Sequence, residues 1–407
     1  MSPVPGRPIT VDWPLALATF GLVVIGLLTV YSATSVPGAH EGLWIKQLVW
    51  FGLALVAAVV VASIHYRVYD SLSWPLYGIS LVLLVLVFLI GVERMGAKRW
   101  IEIGPLQFQP SEIAKIATCF VLARFFDHAK LDLTRMRWWL PPLILTMVPF
   151  VLVAKEPDLG TASSFPAMLI AMYFWAGMPA GQLLLGLSPI LNMGLFFVTG
   201  TLWWFVGLFA LIVAVFRPRM STLLVMLALN IGVGASMPYL WNHLHDYQKR
   251  RIETFINPEG DPSGAGYQVI QSKIAIGSGG LAGKGFLKGT QKGLAFLPMR
   301  HTDFIYSVVG EEMGLLGAAF VLLLYVTVIL SGYRLATVAR DGFASLVAVG
   351  VTTALCFHVV VNMLMTIGWA PVTGVPLPFL SYGGTALIVN CMQIGLLQNV
   401  ALRRREY

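Results

Sequence analysis

What most constrains the fold of this chain is a series of apolar runs near bilayer-spanning length, repeated from one end of its 407 residues to the other. About 20 apolar residues in helical form cross the hydrocarbon core of a membrane. Runs of that order occur at about 14–33, 45–63, 74–91, 109–126, 139–154 and 161–177, and again at 183–199, 202–216, 222–241, 304–332, 343–366 and 384–401. Backbone in lipid must satisfy its own hydrogen bonds, so such segments fold as helices. The chain therefore reads as an all-α polytopic integral membrane protein, a helical bundle of about 12 transmembrane helices. Only 11% of its residues are charged and 57% are apolar, against roughly 25% charged in soluble proteins. That excludes a soluble fold and leaves no basic domain to bind nucleic acid. The net charge of +8 is assigned to contact with anionic membrane lipids and to an anionic substrate.

Charge placement orients the bundle. With the N-terminus inside, the loops on that side hold Arg67, then Lys130, Arg135 and Arg137, then Arg217 and Arg219, then Arg334 and Arg340, and the tail adds Arg403–Arg405. Short cytoplasmic loops rich in Lys and Arg follow the positive-inside rule, and twelve spans place both termini in the cytoplasm. The first apolar run follows Asp12 directly and has no small-residue cleavage site, so it reads as a span and not a signal peptide. Trp44, Trp50, Trp74, Trp100, Trp138, Trp139, Trp203 and Trp204 fall where interfacial anchors are expected. Cys119, Cys356 and Cys391 lie in apolar segments without metal-ligand spacing and read as inert buried thiols.

Five polar segments break the apolar pattern. The largest is the 242–303 loop, expected on the outer face, with eight Lys/Arg between Lys249 and Arg300 against Glu253, Glu259 and Asp261. Asp261 is the one acid there held among turn residues, Gly260-Asp261-Pro262-Ser263-Gly264. It reads either as a turn cap or as a general base. Further on, Gly277-Ser278-Gly279-Gly280 with Gly283-Lys284-Gly285 reads as a weak anion nest. The second segment, 96–115, combines Arg99, whose fork suits oxyanions, with Glu112 and Lys115 at i, i+3 on one helix face. That pair either fixes helix packing or serves the site, since ionisable groups within a span default to a functional reading. The third, Lys155-Glu156-Pro157-Asp158, makes Asp158 a helix cap or a second carboxylate in a shared cleft. In the fourth, His301-Thr302-Asp303 followed by Glu311-Glu312, His301 reads as a loop or helix-start hydrogen-bonder in preference to a metal ligand, and the two glutamates read as satisfied by neighbouring helices or as a partner contact. The fifth, 371–385, has three prolines and three glycines; backbone of this kind at membrane depth is buried in protein or lines a cavity.

Taken together and in order, GAKRW…FQPSEIAK, PDLGTA, DPSGAGYQVIQSKIAIGSGGLAGKG…GTQ…LAFLP…HTDFI…GEE and PVTGVPLPFLSYGGTAL resemble the SEDS family (shape, elongation, division and sporulation), on its rod-elongation branch. The resemblance spans nearly the whole chain. It implies one SEDS-type domain over 1–407 and a peptidoglycan glycosyltransferase that polymerises lipid II, on the outer face of a bacterial cytoplasmic membrane, during cell elongation. Asp261 matches the family's essential loop aspartate, the candidate general base, with undecaprenyl pyrophosphate leaving under inversion. Arg99, Lys273 and Arg250 would hold the phosphates, Gln109 and Asp158 would contact substrate, and Glu112 with Lys115 would support them as an ion pair. The implied partners are a class B penicillin-binding protein, which is a transpeptidase, and the elongation machinery. No cofactor is demanded; a divalent cation (Mg or Mn) beside the pyrophosphate stays open, because no ligand cluster requires one.

Two departures stand out. Ten spans are usual in the family, so 183–219 reads as an inserted helical pair. Met299 replaces the usual Glu before Arg300-His301-Thr302-Asp303, and that position carries no assigned role. Two other functions remain in competition: a lipid II flippase built on broken helices, and a non-catalytic scaffold acting through Glu311 and Glu312.

Overall fold

The structure, a computed structural model, describes residues 11–35, 42–94, 97–103, 106–128, 132–199, 203–216, 220–243, 246–260, 264–290 and 299–404. Each of the twelve apolar runs forms a helix. These are α1 (Trp13–Thr34), α2 (Leu43–Ser63), α4 (Ser73–Ile90), α5 (Pro110–His128), α6 (Leu140–Lys155), α7 (Leu159–Trp175), α8 (Ala180–Thr199), α9 (Trp203–Phe216), α10 (Met220–His243), α13 (Ile305–Val338), α14 (Gly342–Thr366) and α15 (Gly384–Arg403). A short α3 (Tyr66–Ser71) joins α2 to α4. Among the described residues, seven helices are long and apolar enough to cross a membrane, and Leu159–Trp175, Ala180–Met193 and Met220–Ser236 are shorter apolar helices. The protein is a multi-pass membrane bundle.

Local chemistry sets the helix ends. Asp12 accepts from Leu15 N at 3.1 Å to cap α1, with a proline in the first turn, an arrangement that satisfies backbone N–H groups otherwise left without partners. Pro110 opens α5, where its missing N–H costs nothing. At the centre stands α14, two-thirds of whose most apolar window is buried. It packs against α5, α7, α13 and α15, while α15 lies along α2 and α1 along α13. The stretch read as an inserted pair forms α8 and α9, which pack with each other, and α8 also packs on α10. Their contact is polar at its heart: Asn192 donates to Asn230 Oδ1 at 2.7 Å, and Asn230 donates to Ser188 Oγ at 2.8 Å.

Three features differ from the sequence expectation. First, the link between α4 and α5 is a three-stranded antiparallel ribbon, β1 (Val92–Arg94), β2 (Ala97–Ile103) and β3 (Leu106–Phe108). Its register pairs Glu93 with Lys98 and Glu102 with Gln107. Second, the described part of the long loop carries two helices, α11 (Asp246–Ile256) and α12 (Ala265–Ser278). Third, some tryptophans expected at the interface serve packing: Trp139 is buried and donates to Leu133 O at 2.8 Å, and Trp50 fills the space beside Gly384. Trp44 and Trp74 are exposed.

Candidate active site

One end of the bundle gathers four of the five polar segments around a common floor. Strand alternation in β2 sends Arg99 and buried Ile101 inward, while Lys98 and Glu102 are exposed. Arg99 donates through Nε to Glu156 O at 3.2 Å and through a terminal nitrogen to Pro157 O. The α6–α7 turn thereby holds the guanidinium by carbonyls and leaves its charge uncompensated by them. Asp158 follows in that turn. Its Oδ1 caps α7 at Thr161 N (3.2 Å) and its Oδ2 accepts from Gln109 Nε2 (3.0 Å). The cap expected of Asp158 is present, and its second oxygen is taken by Gln109; the cleft it was expected to share with Asp261 lies outside the described residues.

The 373–385 segment rests on α7 because Gly160 has no side chain. A Cβ there would come within 2.4 Å of Val375 and 3.0 Å of Thr373 O. Asn362 of α14, fully buried, donates to Val375 O at 2.7 Å and to Asp303 O at 2.8 Å. Ser381 Oγ donates to Thr302 O at 2.6 Å and accepts from Leu377 N at 2.8 Å, while Gln47 of α2 reaches Ser381 O at 3.2 Å. Irregular backbone at this depth is thus satisfied by protein groups, as it must be away from water.

One turn into α5, Lys115 Nζ lies 2.9 Å from Glu112 and 3.3 Å from His358 Nε2, all three side chains buried. A buried ion pair depends on such additional partners. Lys273 on α12 is exposed, and its stem covers Gly368, where a Cβ would come 2.3 Å from Cε. It belongs to the rim formed by α11, α12 and residues 368–372, not to the Arg99–Asp158 group. Arg250 lies on α11 with its side chain outside the described residues, and Asp261 also lies outside them. Among the described residues no three His, Cys, Asp or Glu side chains gather to hold a metal ion.

Two further acids, Glu156 and Asp303, belong to this end of the bundle. Glu156 is buried, and neither carboxyl oxygen has a hydrogen-bond partner among the described residues. Burial above all, with Asp158 adding and Arg99 opposing, pushes it up to about 8. Asp303 is pushed up to about 6, chiefly by burial, while Arg99 and Arg251 draw it down and Asp158 raises it. In the sequence they are marked only as an acid beside a proline and an acid just ahead of an apolar helix.

The glycine-rich 277–285 stretch packs against α13 and does not form an anion nest. A Cβ on Gly279 would meet Gly310 O at 2.0 Å and one on Gly283 would meet Glu312 O at 2.1 Å, while Lys284 N and Gly285 N donate to Glu311 O and Glu312 O, both at 3.0 Å. The N–H groups a phosphate would need are engaged there. Nor do Glu311 and Glu312 offer a partner surface. Both are buried: Glu311 accepts from Lys284 Nζ at 2.8 Å and Thr290 N at 2.7 Å, and Glu312 accepts from Ser32 Oγ at 2.6 Å.

A family model described as cell cycle protein, FtsW/RodA/SpoVE, matches residues 10–203 and 190–406. The chain belongs to the FtsW/RodA/SpoVE family. This is the SEDS family that its motifs resemble. Within it the chain is 38% identical over 395 residues to a protein named peptidoglycan glycosyltransferase MrdB from Escherichia coli (strain K12), covering 97% of this chain and 94% of the relative. It is 32% identical over 426 residues to peptidoglycan glycosyltransferase RodA of Treponema pallidum, with 97% and 98% covered. Among solved structures, a chain of a peptidoglycan synthase complex that coordinates polymerization and crosslinking superposes with a TM-score of 0.75 at 32% identity, covering 98% of this chain and 99% of that one. The rod shape determining protein RodA of Thermus thermophilus, in an aspartate-to-alanine variant, matches at a TM-score of 0.66 and 27% identity, with 98% and 99% covered.

Proposed function

We propose that this SEDS protein is a peptidoglycan glycosyltransferase that polymerises lipid II into glycan strands during elongation, at the outer face of a bacterial cytoplasmic membrane. The observation that carries the reading is the convergence, at one end of the bundle, of a carbonyl-anchored Arg99 with Asp158, Gln109 and the 373–385 segment. Glycosyl transfer needs a base within reach of the acceptor hydroxyl and fixed positive charge where the leaving pyrophosphate becomes more anionic. Arg99 meets the second need, with Lys273 and Arg250 on the neighbouring rim helices. Asp261 is assigned the first. In support, the described chain to either side of it belongs to that rim: Pro258 lines a small cavity with Arg251, Gly368 and Pro371, and Gly264 caps α12.

In the proposed reaction Asp261 takes the proton of the acceptor hydroxyl, whose oxygen attacks the anomeric carbon of the donor. The bond from that carbon to the phosphate oxygen breaks, and the configuration inverts. Glu112 and Lys115 support the floor from below. The named synthase complex supports a transpeptidase of the class B penicillin-binding type as the partner. The test incubates the purified protein with that partner and labelled lipid II, with and without Mg or Mn. Polymer that depends on Asp261, and is lost in Asp261→Asn at unchanged expression, is the expected result. Translocation of lipid II in liposomes without polymer would instead establish a flippase.

A further inference from the structure

Two polar contacts between α1 and α13 mark the thickness of the bundle. At one level Arg334 pairs with Asp12, and at the other Ser32 Oγ donates to Glu312 at 2.6 Å. Asp12 and Ser32 stand 20 residues apart, and no charged residue falls between Glu312 and Arg334. Twenty helical residues rise about 30 Å, the thickness of the hydrocarbon core. The Ser32–Glu312 level is therefore the edge of the bilayer at the end that carries the site.

The segment that follows α12 lies at this edge. Leu315 N and Leu316 N donate to Gly280 O at 2.9 Å and Leu281 O at 3.1 Å. Leu316 is 18 residues from Arg334, about 27 Å of helix, so Leu281 sits just within the apolar border. Phe286 stacks on Tyr31 with ring centroids 6.3 Å apart, and Trp44 meets Tyr31 edge-on at 5.5 Å. Leu281, Phe286 and Leu287 are all large and apolar, yet they are 69%, 48% and 43% exposed. Leu287 holds φ 66°, a left-handed conformation that bulky side chains avoid. The chain accepts that strain and leaves the leucine exposed. A contiguous apolar patch marks a contact surface, and here continuity says which one. Along α13 it runs on into Leu315, Leu316, Phe320 and Leu323, exposed residues of a membrane span. Tyr31 and Trp44 stand where an interfacial aromatic belt belongs. Lys288, exposed next to Leu287, has a stem long enough to carry its charge to the headgroups.

We propose that residues 281–288 are a membrane anchor of the long loop: Leu281, Phe286 and Leu287 insert into the acyl-chain border of the adjacent leaflet, and Lys288 meets lipid phosphates there. The anchor follows directly on α12, which ends at Ser278 and carries Lys273. The rim of the site is thereby held at headgroup height. On the glycosyl-transfer reading, that is the height at which a polyprenyl-linked pyrophosphate presents its phosphates; the anchor itself does not depend on that reading.

The test places Leu281→Cys, Phe286→Cys and Leu287→Cys, one at a time, in full-length protein that also carries Cys119→Ala, Cys356→Ala and Cys391→Ala. Each receives a nitroxide in vesicles of phosphatidylethanolamine and phosphatidylglycerol. Leu323→Cys is the lipid-facing reference and Lys273→Cys the reference on the rim. Oxygen, which concentrates among acyl chains, should relax the labels at 281, 286 and 287 more than a water-soluble nickel chelate does, with the reverse order at 273. Labels that the chelate reaches as freely as at 273 overturn the proposal. So do labels that neither reagent reaches, because a second copy or a partner's helix then covers the patch. To show that the protein's own side chains make the contact, a label on Ala282→Cys is read with and without Leu281→Lys/Phe286→Lys/Leu287→Lys. Its preference for oxygen should be lost in the triple variant, and a preference that survives overturns the proposal. In the same vesicles the triple variant should polymerise lipid II with a KM raised severalfold and kcat little changed; an unchanged KM refutes the link to substrate height. Wild-type protein that makes no polymer refutes the glycosyl-transfer reading, separately from the accessibility result.

Discussion

Removing the amide of Asn362 should loosen two segments of the site at once. The side chain is fully buried in α14 and gives its two hydrogens to Asp303 O at 2.8 Å and Val375 O at 2.7 Å. Asn362→Ala deletes both donors and leaves the buried Val375 O and the part-buried Asp303 O without them. A buried acceptor that loses its partner costs about 1–3 kcal/mol, so two of them, each able to relax somewhat, cost about 2–4 kcal/mol in total. Asn362→Leu keeps the volume and should cost nearly as much, because the loss is in donors and not in packing. Unfolding by denaturing detergent in mixed micelles, followed by tryptophan fluorescence, measures the change. Polymerisation, measured where the variant is still folded, should fall as well, since both carbonyls belong to segments that shape the cleft. An alanine variant within about 0.5 kcal/mol of wild type, the usual bound for an unimportant surface site, would refute the reasoning.

Other substitutions test separate parts of the structure. Gly314 adopts φ 67° and ψ −166° within α13, and a Cβ there would lie 2.3 Å from Gly283 N; Gly314→Ala should therefore cost more than the roughly 1–3 kcal/mol of backbone strain alone, read as lost thermal stability in detergent. Glu112→Gln leaves Lys115 charged and buried and should destabilise by about 3–5 kcal/mol, with Glu112→Gln/Lys115→Met recovering much of it; a double variant worse than the single would contradict the ion-pair account. Glu156 binds its proton more tightly folded than unfolded, its value raised from 4.5 to about 8. Its contribution is therefore complete below about 4.5, declines as pH rises through that window and is lost above about 8. Glu156→Gln should flatten that decline in a stability–pH series, and an unchanged slope would show that Glu156 is not its source.

Helix positions were legible because lipid imposes them: each apolar run needed a closed backbone, and Asp12, Pro110 and Asp158 marked the starts. The ribbon at 92–108 was not, since its strands are three to seven residues long and so carry little periodic signal beside a helical bundle. Arg99, Gln109 and Asp158 could be singled out as polar residues at span ends, yet the Gln109–Asp158 bond joins residues 49 apart and depends on how α5 and α7 dock. Asp303 and Glu156 were hidden for a related reason. An acid acquires its character from what surrounds it, and the surroundings of Asp303 come from β2, α7, α11 and α14. The glycines of 277–285 misled because a glycine needed for close backbone packing and one needed to cradle an anion look the same in sequence.

The paired acids of α13 have a mechanical consequence. Adjacent residues on a helix point about 100° apart, and here Glu311 grips the 284–290 segment while Glu312 grips Ser32 near the end of α1. Just below them the helix breaks at Gly314, where Leu315 N and Leu316 N bond back to Gly280 O and Leu281 O. The top of α13, the segment after α12 and the end of α1 are thus bolted together above a joint. The segment after α12 and the end of α1 are therefore tied to the same turn of α13, on the far side of Gly314 from the rest of the long helix.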